Sequence, residues 1–120
     1  MLYYKTMLIK IINEKISIQE LQKIAEESFG ELVKAVVDIE KGIMAIGGEL
    51  HADEEAVLIE QGSSQEKLWG INIYPYKTKE ELVEFDSMIN IRPSVGNRSR
   101  GVDNPQIREK IINIVYSLVK

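Results

Sequence analysis

Three of the chain's four arginines, Arg92, Arg98 and Arg100, fall close together, and the fourth, Arg108, lies a little further on. A guanidinium grips a planar or tetrahedral oxyanion through a fixed fork of donors, so its confinement to one segment suggests a task for that segment. The stretch Arg92-Pro-Ser-Val-Gly-Asn-Arg-Ser-Arg-Gly-Val102 adds Ser94, Asn97 and Ser99 as short polar groups. Gly96 and Gly101 allow close backbone approach. No acid stands between Ser87 and Val102, which gives the loop a charge of +3 in a chain of net charge −4. Arginine forks, hydroxyls and the free amides of a following helix are the parts of a phosphate or carboxylate cradle. The spacing is neither a P-loop nor a dinucleotide fingerprint, because GxxxxGK[ST] and GxGxxG are both absent. The opposing reading is structural: the arginines tie the loop to acids such as Glu49, Asp53 and Asp86, or to those of a second subunit.

A second cluster is Gly47-Gly-Glu-Leu-His-Ala-Asp-Glu-Glu55. In extended backbone Glu49, His51 and Asp53 point the same way, two residues apart. That arrangement suits a divalent metal held by imidazole and carboxylates, or a histidine oriented by an acid for proton transfer. His51 is the sole histidine, so one chain cannot build a three-histidine site. The plainer reading has Asp53 capping a helix, Glu54 and Glu55 favouring its dipole, and His51 on the surface.

Strands and helices must position both clusters. Residues 7–12 read as a short Ile-rich strand, and Ser17-Ile-Gln-Glu20 matches a capping box opening a helix over 18–29. Residues 32–39 alternate, with Val33, Ala35 and Val37 on one side and Lys34 and Asp38 on the other. They return through Glu40-Lys41-Gly42 into a strand over 43–47, forming a hairpin. A helix follows over 52–61, then a strand over 68–76. Residues 82–92 read as a long strand, with Glu84, Asp86, Met88, Asn90 and Arg92 on a polar face and Val83, Phe85, Ser87, Ile89 and Ile91 on a core face. Asp86 and Asn90 would thereby support the arginine loop. Asn104-Pro105 starts the last helix, whose buried stripe is Ile107, Ile111, Ile114, Val115 and Leu118. Trp69, Tyr74 and Tyr76 could stack on a base, though a Trp beside a strand is more often core or interface.

The order β-α-β-β-α-β-β-α predicts an α+β fold, with a mostly antiparallel or mixed sheet of about five strands. About three helices should pack mainly on one face, with the first strand joining in parallel through its helix. Residues 7–120 are expected to form one domain, with 1–6 as an N-terminal extension. A chain of this size buries roughly two-thirds of its extended surface and needs no staple. It has no cysteine, which removes thiol chemistry and fits a cytoplasmic location. The net negative charge opposes bulk binding to nucleic acid. No apolar run reaches the roughly 18 residues of a membrane span, so no membrane partner is expected.

The blocks GELHADEE (48–55), LWGINIYP (68–75) and EFDSMINIRPSVGNRSRGV (84–102), with VKAVVDIEKGIMAIGG (33–48), resemble the signature of a family of small prokaryotic proteins described as a domain of unknown function. The resemblance spans roughly residues 17–118. It implies no activity, but it places the acidic block and the arginine loop within the domain's defining pattern.

Two functional expectations follow. The first is an anion-binding domain for a phosphorylated small molecule or nucleic-acid backbone, extending to a metal- or His-assisted phosphoester hydrolase. The second is a non-enzymatic homo-oligomeric interaction or scaffold module, such as a homodimer, with a structural arginine loop.

Overall fold

The computed structural model describes residues 8–120. The proposed extension and the first residue of the expected opening strand lie outside the described residues. Among the described residues five strands form one antiparallel sheet: β1 (Lys10–Ile12), β2 (Val33–Asp38), β3 (Ile43–Ile46), β4 (Leu68–Ile73) and β5 (Val83–Glu84), in the spatial order β1-β3-β2-β4-β5. Among the described residues three full helices accompany it: α1 (Ile18–Glu27), α2 (His51–Glu60) and α3 (Pro105–Leu118). This is the expected α+β order. β1 does not run parallel, however; it lies antiparallel beside β3, with Ile11 opposite Ala45.

Side-chain alternation divides the sheet between two layers. Val33, Ala35 and Val37 of β2, Met44 and Ile46 of β3, and Trp69, Ile71 and Ile73 of β4 form the larger core. Leu21 and Ala25 of α1 and Ile111, Val115 and Leu118 of α3 cover that face. On the other face Val36, Ala45 and Leu68 meet Leu58 of α2. β4 is buried along its whole length.

The helix starts follow from local chemistry. Ser17 Oγ accepts from the Glu20 amide at 3.1 Å, half of the expected capping box. The Glu20 carboxylate faces Lys10 at 3.7 Å. Asn104 Oδ1 accepts from the Gln106 and Ile107 amides, and Pro105 occupies the first helical position, where its missing N–H costs nothing. The β2–β3 turn is held from inside by fully buried Asp38, which accepts from the Glu40 and Lys41 amides and from the Ser63 hydroxyl.

The expected long strand over 82–92 is a correction. Pairing with β4 ends after Glu84, and the chain crosses above β4 through short 3-10 turns at Met88–Asn90 and Pro93–Val95. Alternation therefore fails as a guide to faces here. Ser87 and Asn90 are both buried, although a strand would place them on opposite faces, while Ile91 is exposed. The cause is a side-chain substitute for a strand: Asn90 Oδ1 accepts from the Gly70 amide at 2.8 Å, and Asn90 Nδ2 donates to the Gly70 carbonyl at 2.9 Å. With β4's groups satisfied in this way, the backbone is released to turn.

Candidate functional site

α2 begins at His51, so the two-residue alternation expected for Glu49, His51 and Asp53 gives way to helical spacing, and the three part company. Glu49 lines a groove with Lys10 and Glu27. Asp53 does not cap the helix; the N-cap is Leu50, with no side-chain cap bond, and Asp53 Oδ2 is buried without a partner. His51 turns the other way, into a cleft of about 230 Å³ between the head of α2 and the crossing segment. Among the described residues no three His, Asp or Glu side chains are grouped to hold a metal ion.

The cleft collects residues from five parts of the chain. Lys34 and Asn72 stand opposite each other on β2 and β4. His51 and Ala52 come from the first turn of α2, Asp86 and Ser87 from the crossing segment, and Arg100 from the loop. His51 is buried, and its Nε2–H donates to the Ile71 carbonyl at 2.7 Å. That bond fixes the ring and the tautomer, leaving the Nδ1 lone pair without a partner among the described residues. Burial lowers the imidazole below its usual value of 6.5; the Ile71 carbonyl opposes this, and the charges of Lys34 and Arg100 add to it. The ring is therefore neutral near pH 7 and able to accept a proton. Among the described residues Lys34 makes no ion pair with a carboxylate, and it sits 5.3 Å from the Phe29 ring centroid. Asn72 Nδ2 donates to Glu84, while its Oδ1 is buried and unpartnered.

The arginine loop divides three ways. Arg92 is turned inward, with its guanidinium 3.1 Å from Glu55 and stacked 5.2 Å from the Trp69 ring centroid, both partners of the ion pair being largely buried. Arg100 lies at the cleft, its Nε donating to Asp86 at 2.6 Å in a pair that remains solvent-exposed. The Arg98 side chain is exposed and has no partner among the described residues, and Ser94 is likewise exposed. Asn97 and Ser99 serve the loop itself. Asn97 Nδ2 donates to the carbonyls of Asn90, Ser99 and Gly101, and its Oδ1 accepts from the Asp103 amide. The Asp103 carboxylate accepts from the Ser99 hydroxyl and the Arg98 amide, which hold it below its usual value. Asp103 is thus the acid that organises the loop, one position beyond the stretch from which acids are absent.

Trp69 is core, as its place beside a strand suggested, and the Tyr76 hydroxyl is engaged with Glu26. Lys34 and Asn72 escaped attention as site residues. The available signal was a lysine inside an apolar strand, on the face that also carries Asp38.

Beneath α2, Glu54 is fully buried, its Oε2 accepting from the Gly48 amide at 2.9 Å and its Oε1 unpartnered. Burial pushes this carboxyl well above its usual value of 4.5. The unfolded chain then releases the proton at a lower pH than the folded chain does. Stability from Glu54 is fullest below the unfolded value and is lost as pH rises towards the folded one. Glu54→Gln mimics the neutral acid, so its stability relative to the parent should rise as pH is raised above the usual carboxyl value of 4.5 in urea titrations. Parallel pH profiles for the two proteins would show that Glu54 is ionised in the fold.

A family model described as "Protein of unknown function (DUF5674)" matches residues 10–118, and the chain belongs to that family. No curated protein and no solved structure matches it. Among the described residues no helix is long and apolar enough to cross a membrane.

Proposed function

We propose that the cleft at the head of α2 binds a small oxyanion, a phosphate or phosphorylated small molecule, between Lys34 and Arg100. The observation that carries this reading is the convergence of two cations and an uncapped helix start on a cleft that also holds a neutral histidine. The first amides of a helix favour negative charge, and Arg100 keeps further donors beyond the one given to Asp86. The reaction class this set would serve is phosphoester hydrolysis. His51 Nδ1 would take a proton from water as its oxygen attacks phosphorus and the ester P–O bond breaks, the departing alkoxide taking a proton from solvent, with Lys34 and Arg100 neutralising the charge that gathers on the phosphoryl oxygens. An extended nucleic-acid backbone is less favoured, because the cleft is short and the chain is net negative.

The interaction-module reading is favoured by a different observation. Arg92, Asn97 and Ser99 are spent on internal bonds, while Met88, Ile91 and Val95 are exposed on the same segment. Size-exclusion at low and high salt separates the two readings, since self-association through that segment predicts a dimer and the cleft reading requires none.

Thermal unfolding with inorganic phosphate tests the cleft. Phosphate should raise the melting temperature of the parent, and Lys34→Ala or Arg100→Ala should each increase the phosphate needed by about tenfold, the loss expected for a charge-assisted hydrogen bond. An equal response in parent and variants would rule the cleft out as the phosphate site.

A further inference from the structure

We infer that the opposite layer holds a second ligand site, a pocket that takes a small amphiphilic carboxylate. Where α3 ends and the chain leaves β4, a pocket of about 380 Å³ opens, a volume typical of small-molecule sites. Its floor is apolar, built from Leu82, Tyr116 and Val119, and its rim carries Lys77, Lys79 and Lys120. No acidic side chain lines it.

Each part is fixed by the fold. The Tyr116 hydroxyl donates to the Lys79 carbonyl at 2.9 Å, which pins the 3-10 turn Lys79–Glu81 onto the last turn of α3. Val119 is held by a parallel bridge to Ile16. Lys79 Nζ lies 4.6 Å from the Tyr116 ring centroid, and Lys77 Nζ lies 4.4 Å from that of Tyr74. These ring contacts hold two ammonium groups in place without neutralising them. None of the three lysines has a carboxylate partner among the described residues. Neither acid of the turn, Glu80 or Glu81, lines the pocket, and Glu81 accepts from Thr78.

A cationic rim over an apolar floor is complementary to a ligand with one anionic head and a hydrocarbon body. Lysine supplies point charges rather than planar forks, so the rim asks for a charge and not for phosphate geometry. Each methylene withdrawn from water onto the floor adds affinity. A medium-chain carboxylate meets both requirements.

The test is a titration followed in amide nitrogen–proton correlation spectra, with octanoate as the probe. Octanol supplies the same body without charge, and acetate supplies the head without a body. Octanoate should shift Leu82, Tyr116 and Val119 saturably, leave Lys34, His51 and Ala52 unmoved, and bind at least about tenfold more tightly than either control. The double variant Lys77→Gln/Lys79→Gln changes only exposed side chains, and it should retain the parent spectrum while losing about tenfold in octanoate affinity. Absence of saturable shifts at the pocket, equal binding of octanol, or undiminished binding by the double variant would each overturn the assignment. Phosphate binding at the head of α2 reads out on different amides, so either site can fail alone.

Discussion

Asn90→Ala should destabilise the protein by about 2 kcal/mol or more, although the residue belongs to neither hydrophobic core cluster. Its carboxamide satisfies the Gly70 amide and the Gly70 carbonyl in a buried setting and adds a part-buried bond to the Arg100 carbonyl. Removing it strands the Gly70 donor and acceptor, while the Arg100 carbonyl keeps the Ser87 amide, and each stranded buried group costs about 1–3 kcal/mol. Water entering the vacated space would recover part of that sum, which is why the lower end is expected. Asn90→Asp separates geometry from charge, since it keeps an acceptor for Gly70 N–H but turns a carboxylate towards two carbonyls. It should be no more stable than the alanine variant. Urea unfolding measures both; a loss under about 1 kcal/mol for Asn90→Ala would mean that the crossing segment holds its place without that carboxamide.

Gly70→Ala should cost about 2 kcal/mol and disturb the cleft as well. A Cβ at this position would stand 2.5 Å from Ser87 Cβ, 2.6 Å from Ser87 Oγ and 3.2 Å from His51 Cδ2. Contacts this short force the crossing segment off β4, and they push the His51 ring away from the Ile71 carbonyl that orients it. The steric origin can be checked by removing the obstacle. Ser87→Gly in the Gly70→Ala background should recover more stability than Ser87→Gly alone would suggest, a coupling read from a double-mutant cycle. Additive losses would place the cost elsewhere.

Both variants bear on why the sequence was readable in some places and not in others. The Ser17 cap, the Glu40-Lys41-Gly42 turn and the Asn104-Pro105 start are local. Their bonds close within four residues, so residue type alone announces them. The crossing segment is not local. Its alternation looks like a strand, but its shape depends on Asn90 finding Gly70 twenty positions earlier. The same holds for the arginines. Their clustering was visible, and Asp86 stood among the acids expected to tie them, whereas Arg92 finding Glu55 and Trp69 depends on the folded arrangement. Glu54 misled in the same way: an acid in a first helical turn suits the dipole, yet this one faces the sheet. His51 and Arg100 were both singled out in sequence, and the fold brings them to one cleft. Lys34 and Asn72 complete that cleft because the register sets β2 and β4 antiparallel with these two opposite each other, a pairing no single strand reveals.

The measurement closest to the central claim is the titration of His51 by NMR, with and without inorganic phosphate. The chain has one histidine, so its ring signals need no sorting from others. Without phosphate the imidazole should titrate below the usual 6.5, as its burial requires. A phosphate held between Lys34 and Arg100 brings negative charge beside the ring and favours the imidazolium, so saturating phosphate should move the titration upward. By reciprocity, phosphate should bind more tightly as pH falls through that range. A histidine that titrates at the same pH whether or not phosphate is present would contradict an oxyanion site at the head of α2.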